Sequence, residues 1–123
     1  MYCLTLKCWS MNIKQFDIWI ADLSPKIGTE TGKTRPVLVV QTNLLNQHHL
    51  STLICPLSTN IQKESEILRV HLIENEAGLK KDTDILIDQI RAIDNRRFLH
   101  KTGSIPKEKA EMVKRNMAIV LDL

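Results

Sequence analysis

The feature that most constrains the fold is an abrupt change from a polar loop to an apolar strand at Pro36. Residues 28–35 contain two glycines, a carboxylate, a lysine, an arginine and three threonines, and Val-Leu-Val-Val follows Pro36. Proline fixes its own φ and disfavours helix at the preceding residue, and β-branched apolar runs are typical of buried strands. We therefore expect a strand over 36–41, with Arg35 at its mouth and its guanidinium available to an anion.

Gly-Lys-Thr at 32–34 resembles the end of a phosphate-binding P-loop, but the rest of that motif is missing. A P-loop has four residues between its glycines and a helix after its lysine. Only three residues separate Gly28 from Gly32, and a proline and a strand follow. The nucleotide triphosphatase class is therefore excluded. A solvated hairpin loop without a chemical role remains the alternative to a functional loop.

The length of 123 residues suits one domain with its own core. No stretch is long enough for a transmembrane helix, and residues 1–10 have Lys7 within their apolar pattern and no small-residue cleavage site after them. We expect an intracellular, cytoplasmic protein. Met11 is the expected natural start, so that 1–10 form an N-terminal extension and 11–123 the domain.

The composition limits the ligands that this domain can bind. The net charge of +3 is compatible with a polyanion bound in one groove, and the few aromatic residues disfavour extensive base stacking. Cys55 lies in an apolar segment and is expected to be a buried small hydrophobe. Cys3 and Cys8 lack zinc-site spacing and histidine partners, and three cysteines do not indicate a disulfide framework. We expect no metal and no cofactor.

Periodicity predicts a mainly β protein with one C-terminal helix. There is no βαβ alternation, so a small, partly open, SH3-like barrel with the helix packed on it is expected. The helix should begin after Ser104 and Pro106 and carry Ala110, Val113, Met117 and Leu121 on one side, with Lys107, Lys114 and Arg115 turned away. Strands are expected over 16–22, 36–41, 51–57, 67–72, 85–93 and 98–102, with Ile85, Ile87, Gln89, Arg91 and Ile93 sharing one face.

A barrel brings the loops at one end together, so the 28–35 loop could meet the Ser58-Thr59-Asn60 turn. Glu30, Arg35 and Thr59 would then supply a proton acceptor, a permanent cation and a hydroxyl. Attack of an RNA 2′-hydroxyl on its neighbouring phosphate needs a base, proton donation to the leaving oxygen and stabilisation of charge at phosphorus. The alternative is a surface Arg35 paired with Glu30, and a Ser58-Thr59 pair that only forms the turn.

Histidine and carboxylate chemistry are the less favoured alternatives. No histidine is spaced from a carboxylate or cysteine as metal ligands are, and neighbouring histidines in an extended segment point apart. A hairpin turn and an internal ion pair explain the clustered aspartates more simply than a magnesium site. The residues are His48, His49, His71 and His100, and Asp82, Asp84 and Asp88.

Several motifs in order over residues 11–123 resemble the MazF/PemK toxin family. One departure is Phe16, where the family often has glycine. The motifs are Asp-Ile-Trp at 17–19, Ala-Asp-Leu-Ser-Pro at 21–25, Gly-Thr-Glu at 28–30, Gly32, Arg-Pro-Val-Leu-Val-Val-Gln at 35–41, Cys-Pro-Leu-Ser-Thr at 55–59, Asp-Gln-Ile-Arg-Ala-Ile-Asp at 88–94 and Arg97.

The resemblance implies a CcdB/MazF-type barrel and a sequence-specific, metal-independent endoribonuclease of a type II toxin-antitoxin system. Such toxins are homodimers that cut single-stranded RNA, typically messenger RNA, and leave a 2′,3′-cyclic phosphate and a 5′-hydroxyl. The family's partner is an antitoxin whose acidic C-terminal segment occupies the RNA groove.

The resemblance also implies roles for individual residues. Arg35 matches the catalytic arginine, Thr59 the active-site threonine, and Glu30 a glutamate proposed as base in some members. Gln89 and Arg91 are the polar candidates in the strand that helps to form the dimer and its RNA groove. The flanking polar residues Lys33, Thr34 and Ser58 complete the expected RNA-binding set.

Two alternatives remain beside the ribonuclease. One is a non-enzymatic toxin of the same fold that binds DNA gyrase, as CcdB does, and the other is a degenerate toxin kept as a binding module. Arg35-Pro36 and Ser58-Thr59 favour the ribonuclease, because a toxin that only binds does not need a catalytic loop.

Overall fold

Seven strands precede one α-helix in the computed structural model, which describes residues 12–25, 27–30, 32–46 and 48–123. The expected extension at 1–10 lies outside the described residues. Short 3-10 turns occupy Glu76–Gly78, Ile87–Gln89 and Asn95–Arg97. The elements are β1 Asp17–Asp22, β2 Thr34–Val39, β3 Ser51–Ser58, β4 Arg69–Leu72, β5 Thr83–Leu86, β6 Arg91–Asp94, β7 Phe98–Ser104 and α1 Lys107–Leu121.

The strands form one antiparallel sheet in the order β4-β5-β3-β2-β1-β7, and β6 pairs with the first half of β3. The two edge strands, β4 and β7, do not pair with each other in the described part of the chain, so the sheet is not closed. The prediction of a mainly β, partly open barrel with a C-terminal helix is confirmed.

The apolar run in β2 is continuous because both faces of this strand are covered. Val37, Leu38 and Val39 are all fully buried. Val37 and Val39 join the cluster that contains Trp19 and Phe98, whose rings meet edge to face at 5.7 Å. Leu38 joins the opposite cluster, against which helix α1 packs. Since burial on both faces removes the alternation of a half-exposed strand, Pro36-Val-Leu-Val-Val reads as one apolar block.

Helix α1 covers the second cluster with Ala110 and Val113, as predicted, and Met117 packs at its margin. Leu121, at the end of the same side, is 47% exposed and lines a shallow groove with Met117. The buried face instead includes Asn116, whose side-chain amide donates to the carbonyl of Glu66 at 3.0 Å. Neither α1 nor any other helix in the described ranges is long and apolar enough to cross a membrane.

The prediction of one continuous strand over 85–93 is wrong. Strand β5 pairs with the end of β3, as in Leu57↔Ile85, whereas β6 pairs with its beginning, as in Ile54↔Arg91. The 3-10 turn Ile87–Gln89 lies between them and takes up a change of register. Apolar residues continue to alternate through that turn, so the pattern alone does not reveal it. The turn redirects Gln89 and Arg91 towards the 28–35 loop.

Phe16 occupies a backbone position that suits glycine. The N–H of Asp17 donates to the carbonyl of Lys14 at 3.1 Å, and Phe16 has φ of 69°, as the third residue of a type II turn requires. Its ring is partly buried against the core and lies 5.6 Å from Lys114 Nζ. The departure from the family's glycine therefore falls on an entry turn to β1, where ring packing accompanies an unfavourable φ.

Candidate active site

The Arg35 side chain connects the 28–35 loop to the end of β3. Its Nε donates to the carbonyl of Gly32 at 3.0 Å, and its Nη1 donates to the carbonyl of Leu57 at 3.3 Å. Both acceptors are main-chain atoms, and the side chain is half-buried. Because a guanidinium has five N–H donors in a rigid plane, these two bonds orient the group and leave other donors for an anion.

The end of β3 places a hydroxyl close in sequence to that contact. Ser58 Oγ accepts from the N–H of Asn60 at 3.1 Å, which shapes the turn. Thr59 lies between them, is exposed, and its side chain has no hydrogen-bond partner among the described residues. Arg35 thus meets the segment that holds Thr59, and the Thr59 hydroxyl is free to contact a ligand.

Glu30 lines a cavity whose described lining residues do not include Arg35. Within the described residues it forms no ion pair with Arg35, so the simple pairing of these two residues is not found. Glu30 instead lines a cavity of about 250 Å³ together with Thr29, Asp88, Gln89, Ile90 and Arg91. The Gln89 amide donates to the carbonyl of Thr29 at 3.5 Å. The structure therefore groups Glu30 with Gln89 and Arg91, and Arg35 with the end of β3.

Arg91 lines this cavity and also carries an unsatisfied donor. Its Nη1 is buried and has no hydrogen-bond partner in the described part of the chain. A buried donor without an acceptor costs about 1–3 kcal/mol, more when it is charged. A ligand oxygen in the cavity could satisfy this donor once the Arg91 side chain turns towards it.

Lys33 and Thr34 are exposed at the start of β2. Lys33 has φ of 63°, and its carbonyl accepts from the N–H of Leu23 at 2.9 Å. Thr34 is opposite Asp22 in the ladder between β1 and β2. Neither is among the described residues that line the 88–91 cavity, and both are next to Arg35 in sequence.

Sequence reasoning missed a polar cluster behind the end of β3. The internal ion pair expected for the aspartates is found at Asp84, whose buried carboxylate binds Arg69 Nη1 at 3.1 Å. His71 Nδ1 also contacts this carboxylate, although no histidine was assigned a carboxylate partner. The hairpin of β4 and β5 places His71 opposite Asp84. Pairing these two strands in the sequence would have indicated the His71–Asp84 contact.

Cys55 is a buried small hydrophobe, as predicted. Burial, with a smaller contribution from the nearby Asp88 charge, raises the pKa of the thiol to about 12. The thiol is therefore protonated at neutral pH and is not a nucleophile. The described ranges contain no cluster of three histidine, cysteine or acidic side chains that could bind a metal ion.

Comparisons with known proteins agree with this fold and identify the family. The model of the PemK-like, MazF-like toxins of type II toxin-antitoxin systems matches residues 14–121. The chain is 34% identical over 113 residues to endoribonuclease EndoA of Bacillus subtilis, covering 92% of this chain and 97% of the relative.

Solved structures with the same fold include two toxins of low sequence identity. A crystal structure of MazF from Deinococcus radiodurans matches with a TM-score of 0.77 at 20% identity, over 90% of this chain and 97% of that one. A mycobacterial endoribonuclease in complex with its cognate antitoxin matches with a TM-score of 0.74 at 16% identity, over 91% and 97%. With a matching fold, a matching family model and a relative of this similarity, the chain belongs to the PemK-like, MazF-like toxin family of type II toxin-antitoxin systems.

Proposed function

We propose that this chain is a sequence-specific, metal-independent endoribonuclease toxin that cuts single-stranded RNA, typically messenger RNA. The observation that supports this most strongly is the pair of hydrogen bonds from Arg35 to the carbonyls of Gly32 and Leu57, the second of them next to Ser58-Thr59. The Bacillus subtilis relative is an endoribonuclease by name. The 2′-hydroxyl loses its proton and its oxygen attacks the adjacent phosphorus. The P–O5′ bond breaks and the 5′-oxygen takes up a proton, which leaves a 2′,3′-cyclic phosphate and a 5′-hydroxyl.

In this proposal Arg35 stabilises the charge that develops on the phosphate oxygens. Its orientation is set before substrate binds, because Gly32 and Leu57 accept two of its N–H groups, and a preorganised donor is worth most where charge appears in the transition state. Thr59 donates its free hydroxyl to the same phosphate. The arrangement needs no metal, since the guanidinium supplies the positive charge.

Glu30 is the proposed proton acceptor for the attacking 2′-hydroxyl. It lies in the loop just before β2, which carries Arg35, and it lines the cavity together with Gln89 and Arg91. A nucleotide that bridges the two regions would place its ribose between them. The substrate must therefore extend from Arg35 to the 88–91 turn for Glu30 to act as base. Mutations of Glu30 and of Arg35 can then be compared separately.

Gln89 and Arg91 are the proposed contacts to the RNA outside the scissile phosphate. The unpartnered Nη1 of Arg91 supports this role, because an RNA oxygen would satisfy it. Single-stranded RNA is read through base edges and backbone oxygens by such groups. Lys33, Thr34 and Ser58 flank the Arg35 contact and are proposed to bind the neighbouring phosphates.

The proposed partners are a second copy of the chain and a cognate antitoxin. The mycobacterial structure with its antitoxin supports the second of these. An acidic antitoxin segment that covers Arg35, Arg91 and Lys33 would compete with RNA for the same cations, consistent with the net charge of +3. We place the protein in the cytoplasm, where its messenger RNA substrate is found, and assign the toxin domain to 11–123.

Gyrase binding without catalysis is the second candidate. It does not use an oriented Arg35 or a free Thr59 hydroxyl, so the geometry favours the ribonuclease. The deciding experiment incubates the purified chain, without antitoxin and in EDTA, with a long unstructured RNA and maps the 5′ ends. Arg35→Ala is run in parallel, with Arg115→Ala as the matched control because Arg115 is exposed on helix α1.

Discrete cuts with 5′-hydroxyl ends, lost in Arg35→Ala and kept in Arg115→Ala, are the expected result. The loss should be about a hundredfold or more in rate. Circular dichroism and thermal melting establish that each variant is folded. Absence of cuts by folded wild type, or cuts unchanged in Arg35→Ala, would overturn the proposal, and a gyrase supercoiling assay would then test the alternative.

A further inference from the structure

Asp84 pairs with the end of β3, next to Thr59, although it has no role in the proposed cleavage chemistry. It is opposite Ser58 in the ladder of β3 and β5, and opposite His71 in the ladder of β4 and β5. Directly opposite residues project from the same face of a sheet. The Asp84 side chain is fully buried, so it must find its hydrogen-bond partners within the protein.

Three donors surround this carboxylate. They are the main-chain N–H of Gln62 at 2.9 Å, Nη1 of Arg69 at 3.1 Å, and Nδ1 of His71. Burial alone would raise the pKa of Asp84. The hydrogen bonds from Gln62, His71 and Arg69 outweigh burial and hold that pKa below its usual value, so Asp84 is a carboxylate at neutral pH.

Two of these contacts reach the segment that follows β3. Arg69 Nη1 donates to the carbonyl of Asn60 at 2.7 Å as well as to Asp84, and Gln62 donates its N–H directly to Asp84. The main chain is therefore hydrogen-bonded at residues 60 and 62 to the Arg69–Asp84 ion pair. Thr59 lies between Ser58, the last residue of β3, and Asn60, the first of these two hydrogen-bonded residues.

Stability alone does not account for this ion pair. Replacing a buried ion pair by apolar side chains of similar volume is often neutral or stabilising. Apolar residues at 69 and 84 could not, however, bond the Asn60 carbonyl and the Gln62 N–H. These two main-chain contacts are what the charged pair adds.

We propose that Arg69 and Asp84 are positioning residues that hold Thr59 in place relative to Arg35. This inference rests on the role proposed above for Thr59. Arg35, on β2, donates to the carbonyl of Leu57 at the end of β3. On the other side, Arg69 of the Arg69–Asp84 pair donates to the carbonyl of Asn60 in the following segment. A displacement of about 1 Å in a catalytic group can cost about a hundredfold in rate, which gives such a device a measurable effect.

The test is a double-mutant cycle on RNA cleavage. The variants are Arg69→Ala, Thr59→Ala and the combination, with Arg115→Ala as control and Arg69→Lys as the conservative replacement. Single-turnover rates are measured on a short RNA that contains the mapped cut site, and Kd on the same RNA with a 2′-O-methyl group at the attacking position. Should Arg69→Ala not fold, Arg69→Gln, which keeps a neutral donor, takes its place in the cycle.

Arg69→Ala should lower the saturating rate about tenfold or more and change Kd less than about threefold. Arg69→Lys should recover part of the rate. In the Thr59→Ala background the Arg69 change should cost less than about twofold, because its effect acts through Thr59.

Other outcomes distinguish the positioning role of Arg69 from the role of Thr59 and from the ribonuclease activity. Arg69→Ala with a wild-type rate, or effects that multiply in the double variant, would overturn the positioning role and leave the ribonuclease intact. Thr59→Ala with a wild-type rate would remove the residue on which the inference depends. No cleavage by the wild type would overturn the proposed function itself, and the inference with it.

Discussion

The guanidinium of Arg35 donates a hydrogen bond of 3.3 Å to the main-chain carbonyl of Leu57, two residues before Thr59. This contact joins the start of β2 to the end of β3, which follows it by more than twenty residues in sequence. The same guanidinium also donates to the carbonyl of Gly32, in the loop before β2. Two hydrogen bonds therefore fix the plane of the group. The orientation of this one side chain therefore depends on both the loop and the sheet.

Arg35→Lys should be nearly as inactive as Arg35→Ala. A lysine keeps the charge but has one ammonium group, which cannot bond two carbonyls and a phosphate in the geometry of a planar fork. We expect the single-turnover cleavage rate to fall about a hundredfold or more. A lysine variant within about threefold of wild type would mean that only the charge of Arg35 matters.

Arg91→Ala should weaken RNA binding more than an exposed cation does. Its buried Nη1 has no protein acceptor among the described residues, so turning this donor towards an RNA oxygen in the cavity would replace an unmade hydrogen bond. We expect Kd for the uncleavable RNA to rise about tenfold, compared with about twofold for Arg115→Ala, in a fluorescence anisotropy titration. Equal effects of the two substitutions would remove Arg91 from the binding site.

Asp84→Asn should destabilise the fold in a pH-dependent way. The hydrogen bonds to Asp84 hold its folded-state pKa below the unfolded value of 3.8. Its stabilising contribution is therefore full above about pH 4 and is lost as pH falls through the folded pKa.

We expect Asp84→Asn to lower the free energy of unfolding by about 3 kcal/mol at pH 7. Urea unfolding at pH 7 and pH 3 should show the two proteins converging at the lower pH. A difference that stays constant over this range would contradict the sign of the shift.

Cys55 should resist thiol reagents in the folded protein. Burial, with the nearby Asp88 charge, raises the pKa of this thiol to about 12, so the reactive thiolate is scarce at pH 8. Mass spectrometry after iodoacetamide treatment should find Cys55 unmodified in native protein and modified in denaturant. Rapid native labelling would indicate that β3 opens.

Gly78→Ala should be far more damaging to stability than Gly28→Ala. Both glycines have positive φ, but a Cβ at Gly78 would lie 2.4 Å from the carbonyl oxygen of Thr102, whereas nothing lies within 4 Å of a Cβ at Gly28. We expect a loss of about 1–2 kcal/mol at Gly28 from φ alone and about 3 kcal/mol or more at Gly78. Thermal melting of the two variants compares them directly, and equal losses would contradict the close packing of the Glu76–Gly78 turn on β7.

The elements of the sheet could be predicted where local pattern and pairing agree. The strands expected from periodicity over 16–22 and 51–57 are found at 17–22 and 51–58, and the helix expected after Ser104 and Pro106 is found at 107–121. The segment 85–93 could not be predicted in the same way, since its residues alternate through a turn that exists only because β5 and β6 pair with different halves of β3.

The sequence by itself determined the mainly β class, the family motifs and the residue types available for chemistry, because these depend on local order along the chain. Only the tertiary structure decided which of those residues meet. Arg35 meets the carbonyl of Leu57, Glu30 faces Gln89 and Arg91, and Asp84 binds Gln62, His71 and Arg69. Such contacts join residues that are far apart in sequence. Strand register and the burial of charge set them, and neither leaves a periodic signal in the chain.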